Sequence, residues 1–222
     1  MVDAHTKLPI HLASGGGFAL KLERTFVTEV KPSAVPAGKG IPSFYKKYLE
    51  VDGLYIVSSD KVRDEALEKA YEIVSLMLAK RPDVKQYMVS KGCHVMIIGE
   101  HEEVCDLPEY AHICNTPENI VFWNKRARGF GGAPEDDFSA SCGEENVLAF
   151  PGDKYVGENI LIHEFAHLFH TIGIVGVEPD FDDRLEKCRQ NAIAKGLWKD
   201  TYAISNKRRV IFAEMCAVVL QL

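Results

Sequence analysis

Apolar residues along positions 54–98 form two kinds of pattern. Continuous apolar runs at 54–57 and 94–98 have the length and composition of short buried strands. Between them, apolar side chains recur at helical spacing and give one broad face, which predicts a helix over 62–80. Arg81-Pro82 ends that helix, and residues 83–90 suit another short one. The pattern therefore predicts strands that alternate with helices.

The rest of the chain extends this picture. We expect one or two strands in 18–30, a strand at 146–150, and helices over 159–170, 178–195 and 207–220. Gly173 and Gly176 are expected to end the helix that starts at 159. Residues 105–142 are polar and rich in turn formers, so they predict a long irregular stretch. The elements indicate an α+β fold with a small twisted mixed sheet packed on helices, preceded by an extension over 1–40, with the domain itself spanning 41–222.

The helix predicted at 159–170 carries a His-Glu-x-x-His motif. On a helix, His163 and His167 lie four residues apart and point the same way, so their imidazoles can share one divalent metal. Glu164 lies beside them, where its carboxylate can take a proton from a metal-bound water and pass it to a leaving amine. The motif predicts a zinc peptidase. An amphipathic core helix with hydrogen-bonded histidines is the competing interpretation.

Composition and charge limit the classes of partner and substrate that we expect for this protein. The 222 residues are 46% hydrophobic and 26% charged, as in ordinary globular proteins. A net charge of −6 argues against nucleic-acid or anionic-membrane partners and favours peptides or small molecules. No signal peptide or membrane-spanning run is visible, so the expected location is cytoplasmic, or secreted if the N-terminus is incomplete. The oligomeric state is left open.

The six cysteines form no Cys-x-x-Cys pair, so they do not predict a cysteine metal site. Reduced core thiols and a few disulfides both fit their spacing. Cys93, Cys105 and Cys114 cluster in one region and are the best candidates to pair.

Two further groups of residues carry a family resemblance. The motif is followed by Gly196-Leu197-Trp198, then Thr201-Tyr202-Ala203 and Asn206, and it is preceded by stretches around 123–129 and 141–159. Over roughly residues 40–208 the chain resembles the catalytic domain of the anthrax-lethal-factor-like zinc peptidases. The resemblance implies a zincin-like fold, a Zn²⁺ cofactor, and peptide or protein substrates. It also implies that Tyr202 stabilises the oxyanion of the tetrahedral intermediate.

The chain departs from that family at the third zinc ligand. The family has Asn-x-x-Glu-aromatic-aromatic-Ala-Glu, and its first Glu binds zinc. This chain has Arg209 or Val210 at that position, depending on the alignment. Glu214 is the remaining carboxylate of the last helix, and it would have to move by about one helical turn, about 5.4 Å, to act as ligand.

Other residues near the motif offer weaker candidates for the third ligand. Glu178 and Asp180 follow the motif, although they fit an ordinary helix start. His170 is expected to be exposed or to support a ligand. The predicted function is therefore a zinc-dependent endopeptidase with His163, His167 and Glu214 as ligands. The alternative is a catalytically impaired pseudo-peptidase that binds a peptide or protein partner.

Overall fold

The computed structural model describes residues 30–132, 138–155, 157–197 and 212–213. Its strands are β1 (Ser33–Ala34), β2 (Lys47–Val51), β3 (Leu54–Ser58), β4 (His94–Ile98) and β5 (Ser139–Gly143). Its helices are α1 (Asp64–Leu78), α2 (Pro82–Ser90), α3 (Pro117–Arg126), α4 (Glu144–Val147), α5 (Ile160–Leu168), α6 (Val175–Val177) and α7 (Phe181–Ala194). Two 3₁₀ turns, Val104–Asp106 and Pro108–His112, lie between β4 and α3. The class is α+β, as predicted.

The five strands form one mixed sheet in the order β1-β2-β3-β4-β5. β1, β2 and β3 pair antiparallel, whereas β3, β4 and β5 pair parallel. The tight β2–β3 hairpin turns at Asp52 and Gly53, which both have positive φ. The predicted strands at 54–57 and 94–98 and the helices at 62–80 and 83–90 are confirmed. β1 lies inside the predicted N-terminal extension, so the sheet begins before residue 41.

Alternate residues of the strands pack on opposite faces of the sheet. One face, which includes Ile56, Val95 and Ile97, is covered by α1, α2 and α5 and forms the larger core. The other face, which includes Val57, Met96 and Ile98, packs against Tyr45 and the 3₁₀ turns. A disulfide joins Cys105 to Cys114 beside these turns, whereas Cys93 is a buried free thiol.

Two predictions about the middle of the chain are wrong. Residues 146–150 do not form a strand: the strand is β5, followed directly by α4. β5 has the sequence Ser-Ala-Ser-Cys-Gly and is fully buried, so small residues replace the apolar run that would have predicted it. Residues 117–126, expected to be irregular, form α3, whose N-cap Thr116 accepts a hydrogen bond from the Asn119 N–H at 3.2 Å.

The motif helix is longer than predicted. α5 continues through a π-helical turn, Phe169–Ile174, into α6, so Gly173 and Gly176 do not end it. These glycines let α2 pack closely instead, because a Cβ at residue 176 would lie 2.0 Å from the ring of Tyr87. In the described part of the chain, Ile160–Val177 is the one helical stretch long and apolar enough to cross a membrane, and 67% of it is buried, as in a core helix. The predicted helix at 178–195 is confirmed as α7.

Some predictions fall outside the described residues. These are the strands in 18–30 and most of the last helix, of which the structure describes Phe212 and Ala213 in helical conformation. Tyr202, Arg209, Val210 and Glu214 also lie outside them.

Candidate functional site

The start of α5 is fixed by two asparagines. Asn159 is the N-cap, and its side chain accepts a hydrogen bond from the Ile162 N–H at 3.0 Å. The buried amide of Asn146, on α4, accepts a hydrogen bond from the Ile160 N–H at 2.7 Å and donates one to the Glu158 carbonyl at 2.9 Å. Through Asn146, α4 thereby holds the first turn of the motif helix and also Glu158, which precedes the N-cap.

The two motif histidines face one another. Their Nε2 atoms are 3.1 Å apart, and their ring centroids are 4.9 Å apart. Two nitrogens bound to one tetrahedral zinc at about 2.0–2.1 Å each would be separated by about 3.4 Å. His163 and His167 therefore hold their donor atoms at nearly the spacing that a shared zinc requires.

Glu158 supports His163 from behind. Its Oε1 lies 3.1 Å from Nδ1 of His163, on the side of the ring opposite to Nε2. The contact is electrostatic and lacks the geometry of a hydrogen bond, and a carboxylate in that position favours the tautomer with the proton on Nδ1, whose Nε2 can bind a metal. Sequence reasoning assigned no role to Glu158. The available signals were its place just before the N-cap of the motif helix and its position in the stretch 141–159 that carries the family resemblance.

The candidate general base, Glu164, lies in an environment that disfavours charge. Although it keeps some contact with solvent, the surrounding protein raises its pKa to about 8 through desolvation, and the nearby carboxylate of Glu158 adds to the effect. A hydrogen bond from the backbone of Gly131 acts in the opposite direction. A divalent cation bound by the histidines would also favour the charged form of Glu164.

Residues 128–132, here called the edge segment, run antiparallel along the outer edge of β5. The Phe130 carbonyl accepts a hydrogen bond from the Ser141 N–H at 2.8 Å, and the Arg128 carbonyl accepts one from the Gly143 N–H at 2.8 Å. Gly131 forms a bridge with Ala140. Because backbone groups alternate in direction along a strand, those of Gly129 and Gly131 point away from β5.

The edge segment is anchored at its first residue. Arg128 is 7% exposed, and its Nε and Nη2 donate to the carboxylate of Glu145 at 2.6 and 2.8 Å. Its Nη2 also donates to the Gly99 carbonyl at 3.0 Å, and its Nη1 donates to the Glu102 carbonyl. One buried guanidinium thus ties the segment to α4 and to the turn that follows β4.

The structure brings three of the predicted site residues together: His163, Glu164 and His167. Within residues 30–132, 138–155, 157–197 and 212–213, no third His, Cys, Asp or Glu completes a metal-binding group with them. Glu178 pairs with Arg81 and Arg184, and Asp180 also pairs with Arg184, so both belong to the start of α7. His170 was predicted to be exposed or to support a ligand. In the structure it is fully buried, and its Nε2 lies 2.7 Å from Oδ1 of Asp182.

The described residues of the last helix pack near the end of α5. The ring of Phe212 is 5.1 Å from that of His170, 5.8 Å from that of Phe181 and 6.4 Å from that of Phe169, and Ala213 is fully buried. This part of the chain therefore lies one turn beyond His167 along the extended motif helix.

Comparisons of the chain with models of protein families, with curated proteins and with solved structures found no match.

Proposed function

We propose that this protein is a zinc-dependent endopeptidase with a zincin-like fold. The observation that carries the proposal is the pair of imidazole Nε2 atoms 3.1 Å apart, with a carboxylate behind one ring and Glu164 adjacent in the chain. The same distance also fits a hydrogen bond between the two imidazoles, so the carboxylate of Glu158 and the adjacent Glu164 are the features that favour a metal site over a core helix with hydrogen-bonded histidines. A pair of histidines with a supporting carboxylate is typical of zinc sites.

Zinc at this position would lower the pKa of a coordinated water towards neutrality and polarise the scissile carbonyl. Glu164 accepts the proton that the attacking water loses and later donates it to the leaving amine. The Gly131 backbone positions its carboxylate, and desolvation raises the affinity of that carboxylate for a proton. Tyr202 is the proposed hydrogen-bond donor to the developing oxyanion.

Glu214 remains our candidate for the third ligand. The packing of Phe212 beside Phe169 and His170 supports this choice, because Phe212 precedes Glu214 by two residues in the sequence. A third protein ligand would leave one position for water, as catalytic zinc sites require.

The edge segment supports a peptide as the substrate. The backbone groups of Gly129 and the carbonyl of Gly131 point away from β5, so an extended peptide can add to the sheet there by main-chain hydrogen bonds, whereas the Gly131 N–H already donates to Glu164. This segment runs directly beside Glu164 and His167.

A second candidate function is a pseudo-peptidase that binds peptides without cleaving them. The residues at the family's ligand position, Arg209 and Val210, favour it because neither can bind zinc. Two histidines alone would hold zinc weakly at neutral pH.

Peptide hydrolysis by the full chain distinguishes the two functions. We expect zinc-dependent cleavage of unstructured peptides, lost at least a hundredfold in Glu164→Gln, since a positioned general base contributes about 10²–10⁴ to the rate. The matched control, Glu118→Gln, changes an exposed carboxylate at the start of α3 and should retain activity. Equal activity in Glu164→Gln and the wild type would refute the role of Glu164. Peptide binding without cleavage would support the second function.

A further inference from the structure

Three cations gather where α3 ends. Lys125 and Arg126 are exposed in the last turn of α3, and Lys154 comes from the loop that precedes α5. Nζ of Lys154 donates to the Lys125 carbonyl at 3.4 Å, which joins the loop to the helix. In the described part of the chain, none of the three has a carboxylate oxygen within 4.0 Å. We call Lys125, Arg126 and Lys154 the basic rim.

Other described lysines, such as Lys80, Lys187 and Lys195, also have no carboxylate partner, so the distinguishing feature of the basic rim is that three such cations lie together. The chain carries a net charge of −6, and other cations, such as Lys47, Lys85 and Arg63, pair with acidic side chains. The helix dipole accounts for Lys125 and Arg126 in the last turn of α3, but not for a third cation brought from another segment. Val121 and Phe122, on the same helix, are 68% and 54% exposed. The surface is thus both positively charged and apolar.

The basic rim is connected to the candidate site through the loop before α5. Glu158, which contacts His163, donates its N–H to the Tyr155 carbonyl at 3.0 Å, and Tyr155 follows Lys154 in the chain. The pKa of Tyr155 is raised first by burial and then by the charge of Glu164, while Arg126 lowers it. The phenol of Tyr155 therefore lies within the electrostatic reach of both the basic rim and Glu164.

The edge segment sets the distance between the basic rim and the reacting bond. Gly131 lies directly beside Glu164 and His167, and Arg126 precedes it by five residues. Extended chain advances about 3.3 Å per residue, so the two points are roughly 16 Å apart along the edge. A peptide paired with the edge advances at the same rate and reaches the basic rim about four to five residues from the bond beside Glu164.

We propose that the basic rim binds an acidic side chain of the peptide substrate, about four to five residues from the cleaved bond, and thereby selects peptides with Asp or Glu at that distance. This proposal rests on the proposed function for the position of the bond. Recognition of an acidic peptide by the basic rim can be tested whether or not the peptide is cleaved.

Binding to the Glu164→Gln chain is measured by fluorescence anisotropy with two labelled peptides. One peptide contains Asp residues, and the other has Asn at the same positions. We expect the Asp peptide to bind about tenfold more tightly, with a preference that weakens as salt rises. The triple variant Lys125→Ala/Arg126→Ala/Lys154→Ala, made in the Glu164→Gln chain, should lose that preference. The control triple Lys80→Ala/Lys187→Ala/Lys195→Ala, which removes the same charge from other exposed positions, should keep it. Equal binding of the two peptides, or equal loss in both triples, would overturn the proposal.

Cleavage of a mixed peptide library by the wild-type chain gives the position of the acidic residue relative to the cleaved bond. We expect Asp and Glu to be enriched about four to five residues from the cleaved bond on one side, and the enrichment to vanish in the triple variant of the basic rim. Cleavage without such enrichment would overturn the proposal and leave the peptidase function intact. Preferential binding of the Asp peptide without any cleavage would refute the peptidase function and leave recognition by the basic rim standing.

Discussion

Gly131 lies so close to His167 that a Cβ atom at residue 131 would be 2.5 Å from the Cβ of His167. The same atom would be 2.6 Å from the carbonyl oxygen of Glu164. Neither neighbour is the far end of a flexible side chain, so only glycine allows the edge segment to pass here. The close contact couples the edge of the sheet directly to two residues of the motif.

Gly131→Ala should therefore damage the site more than the fold. We expect at least a hundredfold loss of peptide hydrolysis, together with a loss of about 1–3 kcal/mol in the free energy of unfolding from overpacking. Activity and urea denaturation measure the two effects. Gly92→Ala is the control: φ there is 76° and nothing lies within 4 Å, so it should cost about 1 kcal/mol through backbone strain without affecting hydrolysis. Full activity in Gly131→Ala would contradict the predicted close contact.

Glu158→Gln tests the support of His163. Because the amide cannot make the imidazole more basic as a carboxylate does, we expect zinc affinity to fall by about 10- to 100-fold. Competition with a chromophoric chelator measures the affinity. Glu186→Gln, which removes the same charge from α7, should bind zinc as the wild type does. Unchanged affinity in Glu158→Gln would show that Glu158 does not tune His163.

Arg128→Met tests the anchor of the edge segment. The change removes the partner of Glu145 and the donor to the Glu102 carbonyl, and it leaves the Gly99 carbonyl with the Glu102 N–H as its remaining donor, so we expect a loss of about 3 kcal/mol in the free energy of unfolding. Urea denaturation measures it. The double variant Arg128→Met/Glu145→Gln should recover part of the loss because it no longer contains an unpaired carboxylate. A single variant as stable as the wild type would rule out the anchor.

The stability of the metal-free protein should depend on Glu164. Its pKa is about 8 in the folded chain, against an ordinary value of 4.5, so the folded state binds more protons than the unfolded state between these pH values. The stabilisation is complete below pH 4.5 and is lost as the pH rises through 8. Across this pH range, we expect the free energy of unfolding of the wild type to fall by about 2–4 kcal/mol relative to that of Glu164→Gln. Parallel pH profiles of the two proteins would contradict the raised pKa.

How much the sequence could predict depends on the length and composition of each element. The strands at 54–57 and 94–98 and the helix that became α1 were identifiable because their apolar patterns are long and regular. β5 was missed because its buried residues Ser139, Ala140 and Ser141 are small or polar and give no apolar pattern. The Ser141 hydroxyl is hydrogen-bonded to that of Tyr110 at 2.8 Å. α3 was missed because none of its residues is buried, so the core imposed no periodic pattern on it.

In the site, a local motif was sufficient for His163, Glu164 and His167, because helical spacing alone makes the two histidines face each other. Glu158 and Gly131 were not predicted. Glu158 approaches His163 only because Asn146, from a distant element, fixes the loop that holds it. Gly131 reaches Glu164 and His167 through the pairing of the edge segment with β5, which depends on tertiary structure rather than on local pattern.

The most direct test of the central claim is the zinc content of the purified full chain after dialysis. We predict about one zinc per chain in the wild type. His163→Ala and Glu214→Ala should both lose it, whereas His101→Ala, at an exposed histidine, should retain it. No tightly held zinc in the wild type would contradict the account, because the paired imidazoles of His163 and His167 would then lack the metal on which the proposed peptidase depends.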